Sequence, residues 1–472
     1  MPLTKSDFLL FLESPLHLWC KSNGVEPKPR TLYDQQVADQ GYQVEQLAQE
    51  FLASKVAREY PPGSTIEFEH TLTDGNYEAR LDALVHDAAN NTYDIYEIKS
   101  STEVKSKHKY DVTFQSLITQ TTLPINAVYI VHVNKEYRRS GNVNLQQFFV
   151  VEDMQAEIEA KQDEVYEKRL DAWDVMRLPM APQELQCFNR KECLYPAQCF
   201  GELPEFPIYD LSGIGKVKYR ELLERGITEL KDVPSDFPEK EKQKLQLDSV
   251  KTGRPIVNTE AIQRELEKLV YPLYFLDYET FGPAVPLYDG YAPYQCITNQ
   301  FSIHVVRSPD SDAVEHYEFL ATEPGDPAPA LAEELCRVLG TEGSVLVWYK
   351  GFECARNTEL GQLCPEFAER MAAINARVYD LMESFKHGYY VDYRFHGSAS
   401  IKKVLPVLVP ELSYKELAIG EGTMAMTKWY ELVHGELAEE ERRKITADLL
   451  AYCKLDTWAM VEIWRRMRDL IT

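Results

Sequence analysis

Two kinds of hydrophobic pattern recur along the chain: alternation with a period of two, which predicts strands, and repetition every three to four residues, which predicts helices. The alternation is clearest at residues 94–100, where β-branched and aromatic residues follow an Asn-Asn turn signal. Side chains alternate along a strand, so Glu97 and Lys99 lie on the same face. A carboxylate beside an amine suits metal-assisted hydrolysis but also occurs as a surface ion pair, so the surrounding elements must decide between these interpretations.

Helical and alternating segments surround this strand in the N-terminal part of the chain. One predicted helix carries Gly41 and Glu45 one turn apart, and a later helix carries Gln115. A predicted strand contains Asp82 among apolar neighbours, where a carboxylate is costly unless it is paired or binds a metal. The predicted helices lie within 1–58 (including 34–57), at 111–119 and at 151–178, and the predicted strands lie at 65–72, 77–86 and 127–134.

The C-terminal half repeats this organisation around a second strand with two acids. Asp277 and Glu279 share one face of this strand, which follows an apolar run. Near the C-terminus, Tyr452 and Asp456 lie one turn apart on a long predicted helix. The predicted strands of this half lie at 273–280, 297–307, 314–320 and 345–349.

A Gly-rich turn marks a small helical module between the two halves, at residues 204–262. Gly213, Gly215 and Lys216 precede a predicted helix in a pattern that looks like a helix-hairpin-helix motif. Such a turn presents backbone N–H groups at a helix N-terminus to a nucleic-acid phosphate. A capped helical linker without nucleic-acid contacts is the alternative.

Composition limits these interpretations. The chain has 472 residues, long enough for roughly two to four domains, and its formal net charge is −24. Such an acidic chain normally repels polyanions, which disfavours nucleic-acid binding unless positive charge is confined to a groove.

A group of basic residues follows the first acidic strand. It is interpreted either as a nucleic-acid-binding patch or, equally well, as a solvated loop. The group comprises Lys99, Lys105, Lys107, His108 and Lys109.

The distribution of cysteines and apolar runs indicates a cytoplasmic protein. No apolar run reaches the ~18 residues of a membrane span, and the first twenty residues lack the pattern of a secretory signal. In the cytoplasm the nine cysteines are expected to be free, metal-bound or cluster-bound rather than paired. Cys187, Cys193 and Cys199 are evenly spaced and suggest a soft metal or an iron–sulfur cluster, with three free thiols as the alternative.

The N-terminal motifs resemble the PD-(D/E)XK nuclease superfamily, in particular its RecB-like branch, which includes the CRISPR-adaptation nucleases. Gly41 to Glu45, Asp82, Glu97-x-Lys99 and Gln115 match the order of that branch. The resemblance implies that Glu45, Asp82 and Glu97 bind Mg²⁺ or Mn²⁺, that Lys99 orients water or stabilises phosphate charge, and that Gln115 belongs to the catalytic site.

The same branch often carries a [4Fe-4S] cluster. The resemblance implies that Cys187, Cys193 and Cys199 bind it together with a cysteine near the N-terminus. The position of that fourth cysteine is occupied here by Ser14, and Cys20 lies six residues further along. Either Cys20 substitutes as the fourth ligand, or the cluster is incomplete, labile or absent.

The C-terminal motifs resemble DnaQ-like exonucleases, which have an RNase H-like fold. The resemblance implies a catalytic set that holds two metal ions ~4 Å apart, with Tyr452 positioning water. Lys350 stands where the family's second motif has Asn, which would place a positive charge beside the metals. The acids of this set are Asp277, Glu279, Glu353 and Asp456.

The whole chain resembles an uncharacterised bacterial family that joins a RecB-like domain to a DnaQ-like domain. The fold class expected is α/β, with domains at 1–203 and 263–472 joined by the 204–262 module. The function expected is a metal-dependent nuclease with two separate sites, acting on DNA more than on RNA and without a membrane partner. The competing interpretation is a catalytically weak protein that binds nucleic acid or a protein partner and retains both folds.

Overall fold

The computed structural model describes residues 1–182, 187–237 and 240–471, and these residues form two compact units, each of mixed α/β architecture. The two units do not follow the three predicted domains. The predicted 204–262 module is part of the second unit rather than a separate body, and a short segment from the C-terminal half belongs to the first. The first unit comprises Met1–Glu202 and Pro283–Gln295, and the second comprises Leu203–Gly282 and Cys296–Thr472.

The first unit is built on a six-stranded mixed sheet. Its strand order is β1-β3-β4-β5-β6, with β2 also paired to β3. Strands β4 and β5 are parallel. Strand β3 is antiparallel to both β2 and β4, and β6 is antiparallel to β5. Its strands are β1 (Leu3–Thr4), β2 (Thr65–Asp74), β3 (Tyr77–Asp87), β4 (Thr92–Lys99), β5 (Ile125–Val133) and β6 (Phe149–Asp153). Its helices are α1 (Lys5–Glu13), α2 (Pro15–Ser22), α3 (Leu32–Glu59), α4 (Ser106–Thr119), α5 (Leu145–Phe148), α6 (Gln155–Met176) and α7 (Pro196–Phe200).

Strand β4 is buried on both faces, and this burial fixes Glu97 in the centre of the unit. Ile95 packs with the apolar residues of α4 and α6, while Tyr96 and Ile98 pack with those of α3. Helix α1 begins at a capping box in which Thr4 and Asp7 bond each other's backbone N–H groups, so Lys5 occupies its first turn beside the sheet.

The second unit contains a five-stranded sheet of order β10-β9-β8-β11-β12, in which β8 lies between antiparallel β9 and parallel β11. Strands β7 and β13 form a separate two-stranded sheet. The strands of the second unit are β7 (Ile256–Val257), β8 (Leu273–Phe281), β9 (Ile297–Val306), β10 (Val314–Leu320), β11 (Ser344–Val347), β12 (Val378–Asp380) and β13 (Tyr390–Val391). Its helices are α8 (Lys216–Glu224), α9 (Glu241–Thr252), α10 (Thr259–Leu266), α11 (Ala328–Leu339), α12 (Lys350–Leu363), α13 (Ala368–Ala376), α14 (Glu383–Lys386), α15 (Ile401–Leu408), α16 (Gly422–His434) and α17 (Glu439–Asp469).

Helix α17 covers one face of this sheet with a long apolar stripe. Met460 and Trp464 are buried with Phe275 of β8 in one hydrophobic cluster. This packing brings Asp456 of α17 to the part of β8 that carries Asp277 and Glu279. Among the described residues, no helix combines the length and apolar character needed to cross a membrane.

Close packing attaches the 204–262 module to the rest of the second unit. The Tyr393 backbone N–H donates to the Ser249 hydroxyl at 3.0 Å, and the His396 ring lies 2.8 Å from the Asp210 carboxylate. Gly397 has φ +71°, and an added Cβ would lie 2.0 Å from the Asp210 carbonyl oxygen, so only glycine permits this approach.

Candidate active sites and metal centre

Three carboxylates converge in the second unit, and we call Asp277, Glu279 and Asp456 the acidic trio. One oxygen from each lies within 4.8 Å of the other two. Strand β8 presents Asp277 and Glu279 on one face, and α17, near the C-terminus of the chain, supplies Asp456. The structure therefore brings together three of the four acids predicted for this half as a group able to hold a metal ion.

Burial and mutual repulsion raise the free energy of the acidic trio when all three carboxylates are ionised and no cation is bound. They raise the pKa of Asp277 and of Glu279 well above the ordinary range. Burial raises the pKa of Asp456 to about 6, although the Tyr414 hydroxyl donates a 2.5 Å hydrogen bond to its Oδ1 atom. A divalent cation would offset this repulsion, so the donor set fits a hard metal ion that prefers oxygen ligands.

Glu353, the fourth predicted acid, lies outside the 4.8 Å group but close to it. Its side chain is 2% exposed, and its Oε2 atom has no hydrogen-bond partner among the described residues. Burial, together with the charges of Asp277 and Glu279, raises its pKa well above the ordinary range. A buried carboxylate oxygen without a partner is expected where an ion or ordered water completes the site.

A turn held by Asp380 positions the helix that carries Glu353. The Asp380 carboxylate accepts hydrogen bonds from the backbone N–H groups of Tyr349 and Lys350, at 3.1 and 2.9 Å. Tyr349 has φ +88°, which is uncommon for a residue other than glycine, so these two bonds compensate local strain. The ammonium group of Lys350, expected beside the acids, donates to the Val378 carbonyl oxygen at 2.8 Å.

Lys402 supplies a positive charge near the acidic trio. Its Nζ atom donates to the Tyr452 hydroxyl oxygen at 3.1 Å, and its charge opposes the pKa rise of all three acids. Tyr452 is 3% exposed and lies near the carboxylates, which help to raise the pKa of its hydroxyl; its role in positioning water stays a prediction. Tyr414, which the sequence interpretation missed, comes from a loop that carries no recognisable motif.

Glu97 is the centre of the site in the first unit. Its Oε1 atom accepts hydrogen bonds from Lys99 at 2.6 Å and from Lys5 at 2.7 Å, and its Oε2 atom accepts one from Gln115 at 2.8 Å. Burial alone would raise the pKa of Glu97, but Lys99 and Lys5 outweigh it and hold the pKa well below the usual range. The predicted pairing of Glu97, Lys99 and Gln115 is thus present, with one further lysine.

Asp82 and Asp111 complete this network. Asp82 accepts a hydrogen bond from the Ile98 backbone N–H at 2.8 Å and lies 3.3 Å from the Lys5 Nζ atom. Burial and repulsion from Glu97 raise the pKa of Asp82 to about 7. Asp111 accepts hydrogen bonds from Lys99 at 2.6 Å and from Gln115 at 2.8 Å. Three acids and two lysines share this site, and sequence interpretation missed Lys5 and Asp111.

The network opens into a cleft of about 370 Å³ in the first unit. Glu45 lies on α3 at the wall of this cleft rather than within the hydrogen-bonded network. On another side, the Tyr294 hydroxyl donates to the carbonyl oxygen of Ser100, so the segment Pro283–Gln295 also reaches the site. The residues that line the cleft are Lys5, Ala38, Gly41, Tyr42, Glu45, Asp82, Glu97, Ile98, Lys99 and Ser100.

The basic patch predicted after β4 does not form one exposed surface. Lys99 is in the acidic network, His108 is buried at the start of α4 and Lys109 pairs with Glu157 at 2.8 Å. Burial, with the charges of Lys99 and its neighbours, lowers the pKa of His108 to about 4, so its ring is neutral at pH 7.

The Gly-rich turn of the module is exposed at the start of α8. Gly213 has φ +64°, Gly215 is the residue before the helix and Lys216 begins it. These three residues lie as the pattern requires for backbone contact with a phosphate, and their nucleic-acid role remains a prediction.

Four soft ligands meet at the end of the first unit. Cys187, Cys193 and Cys199 lie with His17 so that one ligand atom from each is within 4.8 Å of the others, and we call this set the thiol–imidazole cluster. Cys20, the expected fourth ligand, is buried nearby but is not part of the group. All nine cysteines are unpaired. The four-cysteine set that a RecB-like [4Fe-4S] cluster requires is therefore not assembled.

Comparison with known proteins finds a family model that matches part of the chain. Residues 274–400 match the family described as "Domain of unknown function (DUF2779)". This range includes Asp277, Glu279 and Glu353 and ends before Tyr452 and Asp456.

Two similar proteins are uncharacterised. Protein UU173 of Ureaplasma parvum serovar 3 is 29% identical over 148 residues, which are 28% of this chain and 21% of that protein. The MG366 homolog of Mycoplasma pneumoniae is 26% identical over 226 residues, which are 44% of this chain and 33% of that protein. The chain thus spans a fifth to a third of the length of these relatives. A solved structure described as "Crystal structure of SSO0001" has a TM-score of 0.25 and 15% identity, and covers 43% of this chain and 87% of its own.

Proposed function

We propose that this protein is a metal-dependent nuclease that hydrolyses phosphodiester bonds of nucleic acid, DNA in preference to RNA, at two separate sites. The first unit would be a PD-(D/E)XK nuclease domain of RecB-like type, and the second an RNase H-like domain of DnaQ type. The mixed α/β architecture of both units and the order of their motifs support this assignment.

The acidic trio carries the proposal. Asp277, Glu279 and Asp456 come from two elements almost two hundred residues apart, and their approach within 4.8 Å is costly unless a cation offsets it. Mg²⁺ or Mn²⁺ bound there would make water a stronger nucleophile and stabilise charge that develops on a phosphodiester. The trio would hold the ion, and Glu353 has a free buried oxygen that can orient its surroundings.

Tyr452 and Lys402 would act on the substrate side of that site. The Tyr452 hydroxyl accepts a hydrogen bond from Lys402 and also interacts with the Asp456 carboxylate. A metal ion bound to Asp456 would release this hydroxyl proton, which could then be donated to a water or a phosphate oxygen. Burial and the neighbouring carboxylates raise the pKa of Tyr452, so it stays protonated at neutral pH and serves as a donor rather than a base.

In the first unit, Asp82 and Glu97 would bind the divalent ion, with Glu45 at the edge of the cleft. Lys99 is held by Glu97 and Asp111 so that its ammonium group can orient water or stabilise phosphate charge. Lys5 lies between Asp82 and Glu97, where the cation would bind, so metal binding requires this lysine to move. The same observation favours a second candidate function for this unit, binding of nucleic acid without cleavage.

The expected [4Fe-4S] cluster is not part of this proposal. It requires four thiolates, each on a different iron, whereas the thiol–imidazole cluster supplies three thiols and one imidazole at closer spacing.

Incubation of the full chain with end-labelled and internally labelled single- and double-stranded DNA and RNA tests the proposal. Cleavage is expected with Mn²⁺ or Mg²⁺ and not with EDTA, and it should fall on DNA more than on RNA. If the protein binds these substrates but cleaves none with either metal, the weak binding protein is the better description and the nuclease proposal fails.

A further inference from the structure

The thiol–imidazole cluster joins a helix near the N-terminus to the loop that follows the first unit's last long helix. His17 lies on α2, where its ring is 2% exposed, and the Nε2 atom lies 3.3 Å from the Cys193 Sγ atom. Cys193 and Cys199 are 2% and 3% exposed, and both lie at the ends of backbone-bonded turns. The loop is also fixed to the N-terminal segment by Lys28, whose N–H donates to the Leu194 carbonyl oxygen at 2.8 Å. His17, Cys193 and Cys199 are therefore held in place by the fold, and Cys187 completes the group.

The spacing of the ligand atoms distinguishes one ion from a cluster. Around tetrahedral Zn²⁺, with bonds of about 2.3 Å to sulfur and 2.0–2.1 Å to nitrogen, ligand atoms lie ~3.4–3.8 Å apart. The His17–Cys193 separation of 3.3 Å fits that edge, and all four atoms lie within 4.8 Å. In a [4Fe-4S] cluster each ligand binds a different iron at a separate corner, so the ligand atoms lie further apart.

The second nitrogen of His17 is buried near a carboxylate. Nδ1 lies 3.8 Å from the Glu13 carboxylate, one turn earlier in the chain, and makes no hydrogen bond with the described residues. Histidines that bind metals commonly direct their other ring nitrogen to a carboxylate or carbonyl group, which fixes the tautomer. Cys20 lies outside this ligand group: its side chain is fully buried in an apolar cluster that includes Leu16 and Cys193, as in a packed core cysteine.

We propose that His17, Cys187, Cys193 and Cys199 form a closed Cys₃His site that binds one Zn²⁺ ion and ties α2 to the 187–200 loop. This inference does not depend on the proposed nuclease activity. It changes the fourth ligand from Cys20 to His17, and it selects a single metal ion over an iron–sulfur cluster, the two alternatives that the cysteine spacing suggests.

Elemental analysis of the purified full-length chain tests the proposal, with parallel assays for zinc, iron and acid-labile sulfide. We expect one zinc per chain, no brown colour and no sulfide after anaerobic purification. Iron and sulfide in near-equal amounts at about four per chain would overturn the proposal. The matched variants are His17→Ala and Cys20→Ser, which are both buried changes within one turn of each other.

Zinc should be lost from His17→Ala and retained by Cys20→Ser; the reverse result would contradict the assignment. Because His17→Ala could also fail to fold, His17→Cys provides a second readout in the Co²⁺-substituted protein. The visible spectrum of bound Co²⁺ should change from that of three sulfurs and one nitrogen to that of four sulfurs, with one ion per chain retained. An identical Co²⁺ spectrum in wild type and His17→Cys would show that residue 17 does not bind the metal.

Discussion

The ammonium group of Lys5 lies 2.7 Å from Glu97 Oε1 and 3.3 Å from Asp82 Oδ1, between the two carboxylates that are predicted to bind a divalent ion. Burial acts to lower the pKa of Lys5, but Glu97, Asp82 and Asp111 outweigh it and raise the pKa overall. Lys5 therefore remains charged and competes with a metal ion for the same oxygens.

Replacing Lys5 should tighten metal binding by the first unit. In a chain that carries Asp277→Asn and Asp456→Asn, so that the second unit is silent, Lys5→Met should lower the Kd for Mn²⁺ by about tenfold, because removal of a nearby like charge is worth roughly 1–2 kcal/mol. Calorimetric titration measures this change. Lys21→Met is the matched control, since Lys21 pairs with Asp7 at 2.6 Å outside the cleft. An unchanged or weaker Mn²⁺ affinity in Lys5→Met would contradict the competition.

The acidic trio predicts a pH dependence of stability in the absence of metal. The pKa of Asp456 is raised from its ordinary 3.8 to about 6, so the folded state binds more protons than the unfolded state in this range. Stability should fall as pH rises from about 4 through about 6. At pH 8 in EDTA, Asp456→Asn should be more stable than wild type, on the order of 2–3 kcal/mol, because it removes a buried charge.

The same variant should lose the stabilisation that Mn²⁺ gives to wild type. Urea unfolding with and without Mn²⁺ measures both effects, and Glu440→Gln on the exposed start of α17 is the control. If Asp456→Asn destabilised the EDTA form and kept the full Mn²⁺ effect, the acidic trio would be a structural feature rather than a metal site.

Tyr452 should affect the rate without affecting the metal. Tyr452→Phe keeps the ring but removes the hydroxyl that Lys402 orients, so the cleavage rate at the second site should fall by about tenfold to a hundredfold. The Mn²⁺ concentration for half-maximal activity should stay within about twofold. Single-turnover assays in an Asp82→Asn background isolate the second site, and Tyr430→Phe, on α16, is the control. Equal losses of rate and metal affinity would argue against a positioning role.

The sequence predicts those parts of each site that lie within one element. The two-residue spacing of Asp277 and Glu279 and the four-residue spacing of Tyr452 and Asp456 follow from strand and helix geometry. Lys5 and His17 could not be found in this way, because they meet partners 92 and 176 residues away only in the folded chain.

Proximity along the chain also misled two predictions. Lys350 is next to the second acidic motif in sequence, yet its ammonium group bonds the Val378 carbonyl oxygen. Cys20 is the nearest cysteine to the expected position, whereas a histidine three residues earlier lies with the other three cysteines. In both cases the direction of a side chain on its helix, rather than its position in the sequence, decides which groups it meets.

The length distribution of cleavage products tests most directly whether two metal-dependent sites hydrolyse nucleic acid. Wild type, Asp82→Asn, Asp277→Asn and the double variant are each incubated with labelled DNA and Mn²⁺. The account predicts that each single variant loses a different class of product. Asp82→Asn should lose the products of internal or end-opening cuts, and Asp277→Asn should lose the products of trimming from the ends. The double variant should yield no products. If the double variant produced the same products as wild type, the proposed sites would not be the source of cleavage and the account would be wrong.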